Sequence, residues 1–147
     1  MDRARTWTKG LIWVLIAPIW VCSCERTSDG GQNSRNIVIP TRSGEVLSGI
    51  LYPAMVPNAS GSLLVHDAGS SATVWGGFPE RLRAQGYTCL AVDLVGHGAS
   101  LRNDADFRAF DDSDWKSRAS DVSAACEALV REGCESGAIG AVGEGFG

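Results

Sequence analysis

The segment with the most direct chemical meaning lies at the C-terminal end of the sequence and reads GEGFG over residues 143–147. Its glycine spacing is that of a G-x-S-x-G nucleophile elbow, a sharp strand-to-helix turn that exposes a serine for attack. Such a turn is strained, so small residues must flank the nucleophile, and Gly143 and Gly147 meet that need. The serine position holds Gly145, which has no side chain. The pattern therefore predicts a nucleophile site without its nucleophile.

Two earlier segments have the spacing of loops that support such an elbow. One is LLVHDAG at 63–69, which matches a strand followed by an H-G-x oxyanion loop, with Asp67 in place of the glycine. The other is DLVGHGAS at 93–100, which matches the turn D-x-x-G-H-G-x-S without a departure. In this order and spacing, the three segments resemble the α/β-hydrolase superfamily over residues 37–147. The stretch DVSAA at 121–125 resembles the dienelactone-hydrolase-like and serine-aminopeptidase-like esterases within it.

The resemblance implies roles for individual residues. The family's oxyanion hole uses two backbone N–H groups, which correspond here to Ala68 and Phe146. In the same family the counterpart of His66 helps to shape the oxyanion loop. Asp67 is expected to be a polar residue at the pocket mouth, or else part of a modified oxyanion region.

The second motif receives structural roles from the same resemblance. Asp93 is expected to stabilise the turn and His97 to brace it, while Gly96 and Gly98 complete the motif. Neither histidine of the chain is expected to act as a general base, because the superfamily's catalytic histidine follows its last strand. The family's acid and histidine come after the elbow in sequence, so this chain alone is predicted to be catalytically incompetent.

Two other binding chemistries match parts of the sequence but are disfavoured. The glycines at 143–147 also resemble the start of a dinucleotide-binding G-x-G-x-x-G, but that fingerprint opens its domain and here two crossover units precede it. An acidic cluster could suggest calcium, but it lacks ligand periodicity and is interpreted as a solvated loop. Its members are Asp104, Asp106, Asp111, Asp112 and Asp114. We therefore expect no cofactor and no metal.

The apolar pattern predicts the elements that position these loops. A leading antiparallel hairpin, then strands alternating with helices, favours a mostly parallel sheet with right-handed crossovers. The pattern predicts the α/β fold class, and the resemblance implies an incomplete α/β-hydrolase fold that ends at the elbow. Its last strand is expected to be an uncovered apolar edge, which would make the isolated chain marginally stable or insoluble. The predicted strands are 37–40, 46–52, 62–66, 88–93 and 138–142, and the predicted helices are 79–85 and 115–131.

The second predicted helix carries one apolar stripe at steps of three and four residues. Its members are Ala119, Val122, Ala125, Cys126, Leu129 and Val130. A Cys126–Cys134 disulfide requires the helix to end well before Cys134, because eight residues of helix span roughly 12 Å. We expect the cysteines at 89, 126 and 134 to be small buried apolar residues instead.

The first 24 residues have the layout of a bacterial lipoprotein signal peptide. A positive region containing Arg3, Arg5 and Lys9 precedes an apolar stretch, 11–21, that is too short to span a bilayer. Cys24 follows as the lipid acceptor, and an ordinary secretory signal cleaved nearby is the alternative. A lipid on Cys24 would hold the protein at a membrane surface, with residues 25–36 as a flexible tether. These features predict a lipid-anchored protein of the bacterial cell envelope, on the periplasmic side or at the cell surface.

The net charge of the mature chain limits the kinds of partner that it can bind. Removing residues 1–24 takes away three basic residues and one acidic residue, so the net charge falls from −4 to −6. No basic patch remains, which argues against nucleic-acid binding.

Residues 37–147 are interpreted as the N-terminal part of a serine hydrolase domain for esters, amides or lactones. The alternative is a non-catalytic envelope lipoprotein that binds a small ester or amide ligand. The sequence leaves the substrate and the oligomeric state open.

Overall fold

A mixed β-sheet lies at the centre of the computed structural model, which describes residues 34–100, 106–145 and 147. All of these residues belong to a compact unit that spans 31–147. Within the described ranges the strands are β1 Arg35–Pro40, β2 Val46–Tyr52, β3 Gly61–Val65, β4 Thr88–Asp93 and β5 Ile139–Gly143. They are hydrogen-bonded in the order β1-β2-β4-β3-β5.

The leading hairpin is confirmed. Strands β1 and β2 pair antiparallel, from Pro40 opposite Val46 to Arg35 opposite Leu51. The connecting turn is closed by the Thr41 N–H, which donates to the Glu45 carbonyl at 2.9 Å. Because β1 begins at Arg35, the last two residues of the predicted 25–36 tether lie in the strand. The predicted signal peptide and Cys24 lie outside the described residues.

The remaining strands confirm the predicted parallel arrangement. Strand β2 pairs antiparallel with β4, whereas β4 with β3 and β3 with β5 pair in parallel. Parallel neighbours need a crossover connection. Helix α1, Phe78–Ala84, lies in the crossover from β3 to β4, and helix α2, Asp112–Arg131, lies in the crossover from β4 to β5. Short 3₁₀ turns occupy Ala72–Trp75, Gly98–Ser100, Phe107–Ala109 and Ser136–Ala138.

Helix α2 begins three residues before its predicted start at 115. The Asp111 side chain accepts from the backbone N–H groups of Ser113 and Asp114, at 2.7 and 3.0 Å. The Asp114 side chain accepts in return from the Asp111 N–H at 3.0 Å. This reciprocal pair is a capping box, which satisfies donors that a helix N-terminus otherwise leaves open. Part of the acidic segment interpreted as a solvated loop is therefore the start of a helix.

The face that α2 turns toward the sheet differs from the predicted stripe. Ala125 and Leu129 are buried as predicted, whereas Ala119 and Val130 are exposed. The buried positions of the helix are Arg118, Asp121, Ala124, Ala125, Ala128 and Leu129. The apolar pattern missed this rotation because the first two buried side chains are charged and pair with each other.

The two helices cover opposite faces of the sheet. Because side chains alternate along a strand, Leu63 and Val65 of β3 pack in a cluster that includes Leu129 of α2. Leu64, between them, packs in a second cluster with Leu82 of α1. The predicted burial of the central strands on both faces is confirmed, since every residue of β3 and β4 is buried.

Strand β5 differs from the central strands. It lies at the edge of the sheet formed by the described residues, and four of its five residues, from Gly140 to Gly143, are exposed. Val142 is 39% exposed. Among the described residues, β5 is therefore the uncovered edge that the sequence predicts.

The cysteines of the described ranges, Cys89, Cys126 and Cys134, are unpaired. Cys89 and Cys134 are buried, and Cys126 is partly buried, which agrees with the role of small apolar residues rather than with a disulfide. Burial raises the pKa of the Cys89 thiol to about 11. No helix within the described part of the chain is long and apolar enough to cross a membrane.

Candidate active site at the carboxyl ends of the parallel strands

The three sequence motifs meet at the carboxyl ends of the parallel strands. Strands β3, β4 and β5 run parallel, so the loops that follow them begin at the same end of the sheet, where α/β sheets commonly bind ligands. Val65 at the end of β3 pairs with Gly143 at the end of β5. The Glu144 N–H continues the contact by donating to the Val65 carbonyl at 3.1 Å. The predicted oxyanion loop and the predicted elbow are therefore neighbours.

The segment 143–147 has the backbone of an elbow. Gly145 has a φ of +59°, in the left-handed region that side chains rarely adopt, as expected for the strained position of a nucleophile. The turn is closed by the Gly147 N–H, which donates to the Glu144 carbonyl at 2.9 Å. A Cβ added to Gly143 would overlap the backbone of Gly147, and one added to Gly147 would overlap the Val65 carbonyl. The flanking glycines are thus required by close backbone approach.

The Asp67 carboxylate occupies the place that an elbow side chain would need. A Cβ added to Gly145 would lie within 3.0 Å of Oδ1, Cγ and Oδ2 of Asp67, closer than real Cβ atoms approach other atoms. The same Oδ1 accepts a hydrogen bond from the Ala68 N–H at 2.8 Å. Ala68, the predicted oxyanion donor, therefore donates to the neighbouring carboxylate. The second predicted donor, Phe146, lies outside the described residues.

His66 is held by hydrogen bonds on both ring nitrogens. Its Nε2 accepts from the Leu94 N–H at 3.2 Å, so the proton must reside on Nδ1, which donates to the Asp67 carbonyl at 2.7 Å. The ring is 1% exposed. His66 therefore joins the loop after β3 to the loop after β4, and neither nitrogen faces solvent as a base.

His97 lies in an aromatic cluster next to this loop. Its Nδ1 donates to the Val95 carbonyl at 3.1 Å, and its ring stacks on Phe107 with 4.5 Å between the ring centroids. Nε2 is buried with no hydrogen-bond partner among the described residues. Burial lowers the pKa of His97, an effect that its bond to the Val95 carbonyl opposes in part. The imidazole is therefore a neutral packing group.

Asp93 braces the turn after β4 with both carboxylate oxygens. Oδ1 accepts from the Ala72 N–H at 2.6 Å and Oδ2 from the Ala99 N–H at 2.8 Å. The Asp93 carbonyl also accepts from the Ser100 hydroxyl at 2.7 Å. A Cβ on Gly98 would overlap this carboxylate. The geometry uses Asp93 to hold two loops together, and Gly96, at a φ of +81°, opens the same turn.

A buried ion pair that sequence reasoning missed anchors this turn to helix α2. Arg118 donates to Asp121 Oδ2 at 2.8 Å, and the Val95 N–H donates to the same oxygen at 3.2 Å. Burial raises the pKa of Asp121, whose Oδ1 has no hydrogen-bond partner in the described part of the chain. The signal was present in the DVSAA stretch, which begins at this aspartate. Its resemblance to a family pattern did not indicate what the carboxylate binds.

Other chemistry is not evident at the described residues. They contain no group of three or more histidine, cysteine, aspartate or glutamate side chains that could hold a metal ion. A cleft of about 270 Å³ lies between the hairpin turn and α2 and is lined by Arg42, Ser120, Ser123, Ala124 and Glu127. None of the predicted site residues lines it.

Solved structures share this architecture. The α/β hydrolase GrgF from Penicillium sp. sh18 superposes with a TM-score of 0.65 and 21% identity, over 78% of this chain and 38% of that protein. The esterase Pf2001 from Pyrococcus furiosus gives 0.61 and 22%, over 78% and 43%. An epoxide hydrolase from an endophytic Streptomyces gives 0.58 and 21%, over 79% and 31%. The chain thus spans less than half the length of each of these proteins.

Sequence comparison gives the family. No curated protein sequence is significantly similar to the chain. The family described as "Alpha/beta hydrolase family" matches residues 63–147, more than half of the chain and all three motifs. Together with the sheet order and the elbow backbone, this match shows that the chain belongs to the α/β-hydrolase family.

Proposed function

We propose that this chain is the N-terminal part of an exported, lipid-anchored α/β hydrolase whose elbow does not perform serine-dependent hydrolysis. The observation that carries the proposal is the left-handed glycine at position 145, whose side-chain space is filled by the Asp67 carboxylate. Removing the nucleophile of a serine protease lowers turnover by on the order of 10⁶-fold, so the remaining groups would give almost no hydrolysis. The motifs resemble those of serine hydrolases that act on esters, amides or lactones, and one of the compared structures is described as an esterase.

The test is a fluorophosphonate labelling experiment on the full gene product. These probes form a covalent bond with an activated serine, and we expect no labelling within residues 37–147. An active serine esterase labelled in the same reaction serves as the positive control. Hydrolysis of simple p-nitrophenyl esters that is blocked by the probe, with the label mapped to this region by mass spectrometry, would overturn the proposal.

The gene sequence supplies a second test of the same premise. A read across codon 145 and several hundred bases beyond codon 147 reports whether the glycine is genuine and whether an acid and a histidine follow. A serine codon at 145 would overturn the proposed inactivity. A glycine codon followed by an open frame that supplies both residues would support a longer hydrolase domain with an altered elbow.

A second candidate function is binding without catalysis. The observation that favours it is the pairing of two departures, since Asp67 already fills the space left by the missing serine side chain. A site that keeps the scaffold and loses the nucleophile could still hold a small ester- or amide-like molecule. Calorimetric titration of the full gene product with p-nitrophenyl acetate and acetanilide tests this function. Heat of binding without product release would support it, and absence of any heat would contradict it for these probes.

Membrane attachment through Cys24 completes the proposal. It is supported by the positive region, the short apolar stretch and the cysteine that follows them. We expect the full gene product to incorporate radiolabelled palmitate in bacteria and the Cys24→Ala variant, which keeps the apolar stretch, to incorporate none. Equal incorporation by the two proteins would contradict a lipid on Cys24.

A further inference from the structure

Two departures from the α/β-hydrolase pattern meet at one point of the structure. Asp67 stands where the oxyanion loop has glycine, and Gly145 stands where the elbow has serine. They lie in separate loops, which the pairing of Val65 with Gly143 brings together. We propose that Asp67 and Gly145 are interdependent, because the Asp67 carboxylate replaces the nucleophile side chain and engages the Ala68 oxyanion donor. The inference rests on the proposed function, since it takes position 145 as the nucleophile position.

Any side chain at position 145 would overlap the Asp67 carboxyl group. A Cβ there would lie within 3.0 Å of three atoms of the Asp67 carboxyl group. The carboxylate is held in place, because Oδ1 accepts from the Ala68 N–H at 2.8 Å. The Asp67 carbonyl is also fixed, because it accepts from His66 Nδ1 at 2.7 Å. A serine at 145 therefore requires Asp67 to rotate and to give up its hydrogen bond to Ala68.

The Asp67 carboxylate would also oppose the negative charge that develops on a substrate. Acyl transfer places a negative charge on the substrate oxygen, and an oxyanion hole stabilises that charge with backbone N–H groups. Here the Ala68 N–H already donates to a carboxylate. A developing oxyanion would have to displace this group and would be repelled by its charge. Asp67 thus opposes acyl transfer at the nucleophile position and at the oxyanion donor.

The backbone of Gly145 calls for a matched control. At a φ of +59°, any substitution is strained whatever the surrounding space. Gly44 in the hairpin turn has a φ of +85° and nothing within 4 Å of an added Cβ. Gly44→Ser therefore measures the cost of a left-handed serine without a carboxylate contact.

The experiment is a double-mutant cycle in the full gene product, read first as melting temperature. The variants are Asp67→Gly, Gly145→Ser, their combination, and Gly44→Ser alone and with Asp67→Gly. We expect Gly145→Ser to lower the melting temperature more than Gly44→Ser does. Adding Asp67→Gly should recover part of the loss at 145 and none of the loss at 44. If Gly145→Ser does not fold, the same cycle with Gly145→Ala adds only the Cβ.

The second reading is fluorophosphonate labelling of the same variants. We expect labelling of the combined variant to be faster than that of Gly145→Ser by about 10²-fold, the usual effect of one oxyanion donor. Asp67→Asn with Gly145→Ser separates space from charge, because asparagine keeps the volume and removes the charge. We expect its labelling rate to lie between that of Gly145→Ser and that of the combined variant.

The outcomes of the cycle decide the proposal separately from the proposed function. Additive melting temperatures for Asp67→Gly and Gly145→Ser would overturn the interdependence, whether or not any variant is labelled. Rapid labelling of Gly145→Ser with Asp67 intact would also overturn it. Labelling of the unmodified protein would instead contradict the proposed inactivity, and it would leave the melting-temperature result standing.

Discussion

Two loops at the carboxyl ends of the parallel strands contain the same local contact, a carboxylate packed beside a left-handed glycine. The contact has a different consequence in each loop. In the turn after β4, the Asp93 carboxylate fills the space beside Gly98, and in the loop after β3, the Asp67 carboxylate fills the space beside Gly145. Both glycines are left-handed, with φ values of +48° and +59°. Both carboxylates accept from a backbone N–H.

The difference lies in what the carboxylates replace. Asp93 is 6% exposed, accepts from two separate loops, and belongs to a motif that matches the family pattern in full. Asp67 is partly exposed, accepts from the next residue, and fills the side-chain space beside Gly145, the predicted nucleophile position. The same local contact therefore braces a turn at Gly98, whereas at Gly145 it fills the space that a side chain would need.

The strands that precede the loops also differ in burial, and this difference gives the largest expected effect, which is on solubility. All residues of β4 are buried, whereas β5 is largely exposed. Because an uncovered apolar edge strand pairs readily with other chains, we expect most of a purified 25–147 segment to be insoluble. Val142→Lys should raise the soluble fraction by placing a charge on that edge. Centrifugation and light scattering after expression measure both results.

A control for this prediction is available on another surface. Val74 is 47% exposed but lies in a 3₁₀ turn outside the strands, so Val74→Lys should leave the soluble fraction nearly unchanged. A soluble 25–147 segment that unfolds cooperatively would show that β5 needs no cover, and the contrast between the two strands would lose its meaning.

The next effect concerns the structural member of the pair of loops. Asp93→Ala should lower the free energy of unfolding by about 1–4 kcal/mol. The buried Ala72 N–H loses its acceptor at about 1–3 kcal/mol, whereas water can replace the acceptor of the Ala99 N–H at about 1 kcal/mol or less. Urea unfolding of the full gene product, followed by circular dichroism, measures the loss. Asp93→Asn keeps one acceptor oxygen and should fall between the two proteins. A change below about 0.5 kcal/mol, typical of surface positions, would mean that Asp93 does not brace the turn.

The sequence was sufficient for the elements whose burial is decided by local pattern. Strand β4 has its predicted bounds, Thr88–Asp93, because an apolar run is bounded by Gly86 and by the glycine-containing turn. The start of α2 was wrong by three residues. There the capping residues Asp111 and Asp114 lie in an acidic segment, and composition favoured a solvated loop over a helix N-terminus.

The candidate site was predictable only as a set of positions. The motif spacing predicted that the loops after β3, β4 and β5 lie together, because the carboxyl ends of neighbouring parallel strands lie at the same end of the sheet. It could not predict that Asp67 overlaps the side-chain space of Gly145, because that depends on the rotamer of one side chain and the path of another loop. The Arg118–Asp121 pair was missed for a different reason. The search for buried helix positions followed apolar residues, and these two buried residues are charged.

The histidine in the turn after β4 offers a pH test. Burial lowers the pKa of His97 below its ordinary value of about 6.5. The unfolded chain then binds more protons than the folded chain as the pH falls through that value. Stability from neutral His97 is therefore present above about pH 6.5 and lost below it, by at most about 1.4 kcal/mol per pH unit. Urea unfolding at several pH values measures the slope.

The variant His97→Phe isolates this contribution. It keeps the aromatic packing against Phe107 and removes the titrating group, so its stability should vary less between pH 7 and pH 5. The charged and titratable neighbours, His66, Asp93 and Arg118, are common to both proteins. Asp121, whose pKa is raised, contributes with the opposite sign and also cancels in the difference. Identical slopes would show that His97 titrates as it does in the unfolded chain.

The smallest effect is expected from Asp67, the carboxylate beside the predicted nucleophile position. Asp67→Ala should lower the free energy of unfolding by about 1 kcal/mol or less, because the residue is partly exposed and water can replace it at the Ala68 N–H. Urea unfolding beside Asp93→Ala gives the comparison directly, with Asp67→Asn as the variant that keeps an acceptor. A loss as large as that of Asp93→Ala would make Asp67 a structural brace like Asp93. A small loss would mean that the fold does not require this carboxylate. That result would agree with the proposed role of Asp67, which is to fill the nucleophile position beside Gly145.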